Sequence, residues 1–131
     1  MSAELKRSLS QLEKAFARLR EALDEPPSNP LMLDGSIQRF EFSIELFWKV
    51  MKRLLAFEGI DARTPRETLQ QAFQSGWLAD EATWLSLLRD RNQTSHAYDE
   101  ALAQAILARV RRALPEMAKT LDELRQRIDQ I

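Results

Sequence analysis

The chain has 131 residues, enough to bury a sizeable core, and is expected to form a single domain over 1–131. Its formal net charge of −1 gives no bulk attraction to nucleic acid, so any such contact has to come from a local patch. It has no cysteine, which excludes disulfides, thiolate metal sites and cysteine nucleophiles.

Leu, Ala, Glu, Arg and Gln dominate, and Gly and Pro are scarce, a composition that favours helices. The segment Met1–Arg7 lacks the apolar run of a signal peptide, and no window approaches the roughly 20 apolar residues of a membrane span. A cytoplasmic protein with no membrane association is expected. With one histidine and no clustered carboxylate motif, neither a metal site nor a cofactor is expected.

The first helix is predicted from about Ser2 to Asp24, where Leu5, Leu9, Leu12, Phe16, Leu19 and Leu23 form one apolar stripe. The segment Glu25-Pro26-Pro27-Ser28-Asn29-Pro30 stops it. A second helix is predicted from Asp34 or Ser36 to Phe57. Ile37, Phe40, Ile44, Phe47, Met51 and Leu54 alternate three and four apart, and Phe42, Trp48 and Leu55 widen that seam. A helix this apolar calls for neighbours on two sides or for a second subunit. Glu41, Glu45 and Lys49 read as its solvated face, and Gly59 ends it.

Thr64-Pro65-Arg66-Glu67 is a strong helix start. Thr64 suits the cap, Pro65 the first position, and Glu67 can bond back to the cap. This short helix carries Leu69, Ala72 and Phe73 and stops near Gly76. Asp80 caps another helix with Trp84, Leu85, Leu87 and Leu88, and Trp77 and Trp84 are expected in core or interface. Asp99 caps a last long helix striped by Leu102, Ile106, Val110, Leu114, Met117, Leu121, Leu124 and Ile128. Pro115 is expected to kink or split it. Arg109, Arg111 and Arg112 read as ordinary arginines before that kink, with an RNA patch as the weaker alternative. The architecture predicted is all-α, an antiparallel bundle of four main helices and a short extra one.

The only histidine and the only tyrosine lie two residues apart in Arg91-Asn92-Gln93-Thr94-Ser95-His96-Ala97-Tyr98. Histidine alone has an unperturbed pKa near neutrality, so His96 is the first candidate for acid–base chemistry. On a continuous helix Arg91 and His96 would stand about 140° apart. Asn92, Thr94, Ser95 and Asp99 favour caps and turns, which places Arg91 at the end of one helix and His96 near the start of the next. Backbone N–H groups opening the last helix would favour an anion there. The alternative from spacing alone is that His96 packs at a helix junction while Arg91 pairs with Asp90 or Asp99.

The string Asp90-Arg91-Asn92-x-Thr94-Ser95-His96-x-Tyr98-Asp99-Glu100 resembles the signature of the HEPN family. It is most similar to the branch of small HEPN proteins paired with a minimal nucleotidyltransferase, whose Arg-x4-His-x-Tyr pattern is met in full. The resemblance implies an HEPN-like helical bundle and a toxin of a toxin–antitoxin pair. It implies metal-independent RNA cleavage at the interface of a homodimer or higher homo-oligomer. On that reading His96 takes the proton from a ribose 2′-hydroxyl, Arg91 stabilises the phosphorane, and Asn92 orients His96 or a phosphate oxygen. Tyr98 is then the residue to which the nucleotidyltransferase transfers AMP. The other readings are a non-catalytic substrate-binding subunit of a two-component nucleotidyltransferase, and a helical adaptor with a vestigial motif.

Overall fold

The computed structural model describes residues 2–131. Five helices follow one another: α1 (Ser2–Asp24), α2 (Met32–Phe57), α3 (Pro65–Gln74), α4 (Glu81–Gln93) and α5 (Glu100–Asp129). A single 3₁₀ turn, Thr94–His96, joins α4 to α5. No strand occurs among the described residues.

Side-chain pairs fix the directions. Along α1 and α2, Arg39 Nη1 donates to Arg18 O, Ser43 Oγ to Ala15 O, and Arg53 to Ser8 Oγ, so the two helices run antiparallel. Arg111 donates to Leu23 O and Arg125 to Glu13, which makes α5 antiparallel to α1. Asp90 with Arg109, and Trp84 with Glu116, make α4 antiparallel to α5. The chain is an up-and-down four-helix bundle, with α3 the short extra helix.

The seams supply the core. All six named positions of α1 are buried, as are Ile37, Phe40, Ile44, Phe47, Met51 and Leu54 of α2. Phe16, Phe47 and Trp84 form an edge-to-face column through α1, α2 and α4, with ring centroids 5.7 and 4.9 Å apart. The apolarity of α2 is explained by its place, since it packs against α1, α3, α4 and α5. Phe42 departs from the seam and is 55% exposed.

The caps follow local chemistry. Thr64 Oγ1 accepts from Glu67 N–H at 3.1 Å, and Asp80 and Asp99 accept from Thr83 and Leu102 N–H at 3.1 Å. Glu67 reaches back one residue further than expected, to Arg63 N–H at 3.0 Å. Gly59 and Gly76 adopt φ of +84° and +83°, where an L side chain would be strained, and each follows a helix end.

Two expectations are corrected. Helix α2 begins at Met32, ahead of Asp34, because Met32 N–H bonds to Asn29 O and Leu31 N–H to the Asn29 side chain, winding the chain early. Helix α5 is one element through Pro115, not two. Proline lacks the N–H that bonds to the preceding turn and its ring crowds the carbonyl four residues back, but the buried stripe on either side, Val110 and Ala113 then Met117 and Leu121, holds both halves on the same core.

Candidate functional site

The segment Arg91–Asp99 turns the chain from α4 into α5. Thr94 is buried, and its Oγ1 donates to Arg91 O at 2.7 Å, closing the end of α4. Ala97 N–H bonds to Thr94 O and Asp99 N–H to His96 O, both at 3.0 Å. Asp99 then caps α5. The residues that favour turns over helix interiors thus do break the helix between Arg91 and His96.

His96 is exposed, and its ring meets the Tyr98 ring edge-on at 6.1 Å. Tyr98 is 86% exposed. It stands between two surface grooves. One, about 570 Å³, is lined by Leu31, Ile37, Phe42 and Thr94 among others; the second, about 470 Å³, by Pro27, Met32, Leu33 and Glu100 among others. Leu31 at 75% and Phe42 at 55% exposure put apolar side chains on the first groove, among the polar Asp34, Gln38 and Glu41.

Arg91 reaches onto α2. Its Nη2 forms an ion pair with Glu45, and its Nη1 donates to Asn92 Oδ1 at 3.1 Å. It pairs with neither Asp90 nor Asp99. Asp90 is buried and engaged by Arg109 through Nε (3.0 Å) and Nη2 (2.7 Å), a fork that raises the Arg109 pKa. Arg109 is therefore a structural clamp between α4 and α5. Arg111 is likewise occupied by Leu23 O. No hydrogen bond joins Arg91 or Asn92 to His96 among the described residues, and Asn92 Oδ1 accepts from Arg91 Nη1.

One further sequence reading needs correction. Glu45 does not sit on a solvated face: it meets Arg91, accepts from Trp48 Nε1 at 3.2 Å and lies 3.9 Å from Lys49. Its four-residue spacing with Glu41 and Lys49 gave no sign of this, because the partner comes from another helix. The N-terminus of α5 is capped by the chain's own Asp99, whose carboxylate accepts from Leu102 N–H, with Glu100 in the first turn. Trp77 and Trp84 are buried in the core. No group of three His, Asp or Glu side chains that could hold a metal occurs among the described residues, and no helix is long and apolar enough to cross a membrane.

Residues 7–126 match the family described as nucleotidyltransferase substrate binding protein like. A probable ribonuclease HepT of Haemophilus influenzae is 33% identical over 138 aligned positions, which cover 93% of this chain and 94% of that protein. A crystal structure of a Thermus thermophilus protein superposes with a TM-score of 0.74 at 36% identity, covering 89% of this chain and 98% of the other. A Haemophilus influenzae structure, described as revealing the fold of a substrate binding domain of a nucleotidyltransferase, superposes with a TM-score of 0.69 at 30% identity. It covers 95% of this chain and 99% of that one. With its helical fold and complete Arg91–His96–Tyr98 string, the chain belongs to the nucleotidyltransferase substrate-binding protein-like family, the HEPN branch paired with minimal nucleotidyltransferases.

Proposed function

We propose that this chain is a metal-independent RNase of the toxin type. It acts as a homodimer of single-domain protomers in the cytoplasm and is silenced by a cognate minimal nucleotidyltransferase that transfers AMP to Tyr98. The observation that carries the reading is the complete Arg-x4-His-x-Tyr string folded as a surface turn, with His96 and Tyr98 both reachable. The relative described as a probable ribonuclease supports the same chemistry.

In the proposed reaction His96 takes the proton from a ribose 2′-hydroxyl. The oxygen attacks the adjacent phosphate, the bond to the 5′-oxygen breaks, and a 2′,3′-cyclic phosphate forms. Arg91 stabilises the added negative charge on the phosphorane, and Asn92 holds the arginine. The leaving oxygen needs a proton, and the protomer has no second histidine to give it. A two-fold interface apposing two copies of the turn supplies base and acid from His96 of each protomer. The exposed Leu31 and Phe42 beside the turn are the kind of surface such an interface covers.

For silencing, the Tyr98 hydroxyl attacks the α-phosphate of ATP, pyrophosphate leaves, and the phenolic proton passes to the nucleotidyltransferase. The AMP phosphate then stands beside His96, where it repels RNA and competes for Arg91. Expression in cells tests both halves. Growth inhibition is expected from the wild-type chain, lost in His96→Ala, and relieved by a co-expressed nucleotidyltransferase only when Tyr98 is present. Equal growth inhibition by wild type and His96→Ala would overturn the nuclease assignment.

The alternative, a non-catalytic subunit that holds the nucleotidyltransferase or its substrate, is favoured by one observation. Arg91 is already ion-paired to Glu45 in a chain of near-neutral charge. It predicts a stable hetero-complex that survives His96→Ala and no RNA cleavage by either protein.

A further inference from the structure

The geometry points to Glu45 on α2 as the positioning residue for Arg91, whose charge also sets how strongly the site holds an RNA phosphate. This deepens the RNase reading and rests on it for its effect on turnover.

Arg91 is pinned through two nitrogens, Nη2 on Glu45 and Nη1 on Asn92 Oδ1. Glu45 is itself braced. Its Oε1, which meets Arg91 as an ion pair without accepting a hydrogen bond, is closed to solvent, and its Oε2 accepts from Trp48 Nε1. Lys49 stands 3.9 Å from Oε2, and Lys52 lies over the Trp48 ring at 5.9 Å. The brace runs from the bundle's central helix to a carboxylate, and from there to the guanidinium. A planar guanidinium held at two points presents its remaining N–H groups in one direction. Arg91 keeps 35% of its side chain exposed for that purpose. This replaces the search through rotamers that a free arginine would make when charge develops on the phosphate.

The same contact has an electrostatic side. Before RNA arrives, Arg91 and Glu45 together are close to neutral, so an incoming phosphate meets a masked cation. Neutralising Glu45 unmasks it. Glutamine keeps a carbonyl oxygen in the place that meets Arg91 but carries no charge, whereas alanine removes both. The two substitutions therefore separate orientation from charge.

The test uses the full chain with two single-stranded oligonucleotides of one sequence. One is RNA, read as kcat and KM; the other is 2′-deoxy, which lacks the attacking hydroxyl and reports binding alone. Glu45→Ala is expected to lower kcat about tenfold or more while tightening 2′-deoxy binding about threefold. Glu45→Gln is expected to keep the tighter binding and to recover kcat to within about threefold of wild type. Helical circular dichroism and a melting point near wild type for Glu45→Gln keep misfolding out of the comparison. A purely structural carboxylate would move kcat and KM in no such opposed way. Wild-type kcat in Glu45→Ala, or unchanged 2′-deoxy binding in both variants, would overturn the assignment. Should the wild-type chain cleave no RNA, the RNase reading falls by itself and binding decides this inference. Tightening in Glu45→Gln that vanishes in Glu45→Gln/Arg91→Ala upholds it, and no tightening overturns it.

Discussion

Glu116 on α5 holds the start of α4, and so the register of everything up to Arg91, through one carboxylate oxygen. Oε2 accepts from Ala79 N–H at 3.1 Å, Asp80 N–H at 3.0 Å and Trp84 Nε1 at 3.2 Å. These three donors do not contribute equally. Ala79 and Asp80 are exposed, so their amides turn to water once the carboxylate is gone, at a cost of about 0.5 kcal/mol or less each. Trp84 is fully buried, at 0% exposure, and water does not replace the lost acceptor. Stranding that indole N–H costs about 1–3 kcal/mol. Glu116→Ala is therefore expected to destabilise the fold by about 2–3 kcal/mol, and Glu116→Gln, which keeps an acceptor, by about 1 kcal/mol. Urea unfolding followed by circular dichroism reads both values as shifts in midpoint at constant slope. Trp84→Phe removes the donor, so the double variant with Glu116→Ala is expected to be less destabilised than the sum of the singles by about 1–2 kcal/mol. Glu116→Ala within about 0.5 kcal/mol of wild type, or strict additivity with Trp84→Phe, would refute the reasoning.

The other tryptophan provides the contrast. Trp77 is buried but its Nε1 has no partner, so Trp77→Phe is expected to cost about 1–2 kcal/mol less than Trp84→Phe in the same urea experiment; equal costs would contradict this. Thr83 hydrogen bonds hold the Asp80 carboxyl below its ordinary pKa. A carboxylate depressed in the folded state stabilises above its unfolded pKa, about 3.9, and the gain is lost as pH falls through the lower folded value. The stability difference between wild type and Asp80→Asn is expected to stay constant down to about pH 4 and then shift against the wild type; a constant difference to pH 3 or below would show that the cap does not titrate. Arg91→Ala leaves the Glu45 carboxylate with only Lys49, 3.9 Å from Oε2, as counter-charge, so it is expected to cost about 1 kcal/mol, discounted from a fully buried pair because both side chains keep some exposure. Adding Glu45→Gln should return a good part of that loss, and a double variant no more stable than Arg91→Ala would count against the pairing.

The bundle was legible because its information is local and periodic. The α1 and α2 seams repeat every three or four residues, and the stripe positions that carry that repeat are buried. Thr64, Asp80 and Asp99 announce helix starts through side chains that bond within three residues. The break between Arg91 and His96 was readable from Asn92, Thr94, Ser95 and Asp99 for the same reason. What the sequence hid is tertiary. Glu45, Glu116 and Asp90 look like any helical carboxylates, and only the packing of α2, α4 and α5 brings Arg91, Trp84 and Arg109 to them. Phe42 shows the converse, an apolar residue beside a seam that the fold leaves outside. Pro115 does not split α5 because proline's local cost is set against a stripe of buried contacts on both of its sides.

The most direct test of the central claim is cleavage of single-stranded RNA by the purified chain in EDTA, compared with His96→Ala. The account predicts cleavage by the wild type that leaves 2′,3′-cyclic phosphate ends and is abolished in the variant. Intact RNA with wild-type protein shown by mass to carry no AMP, or equal cleavage by His96→Ala, would contradict it.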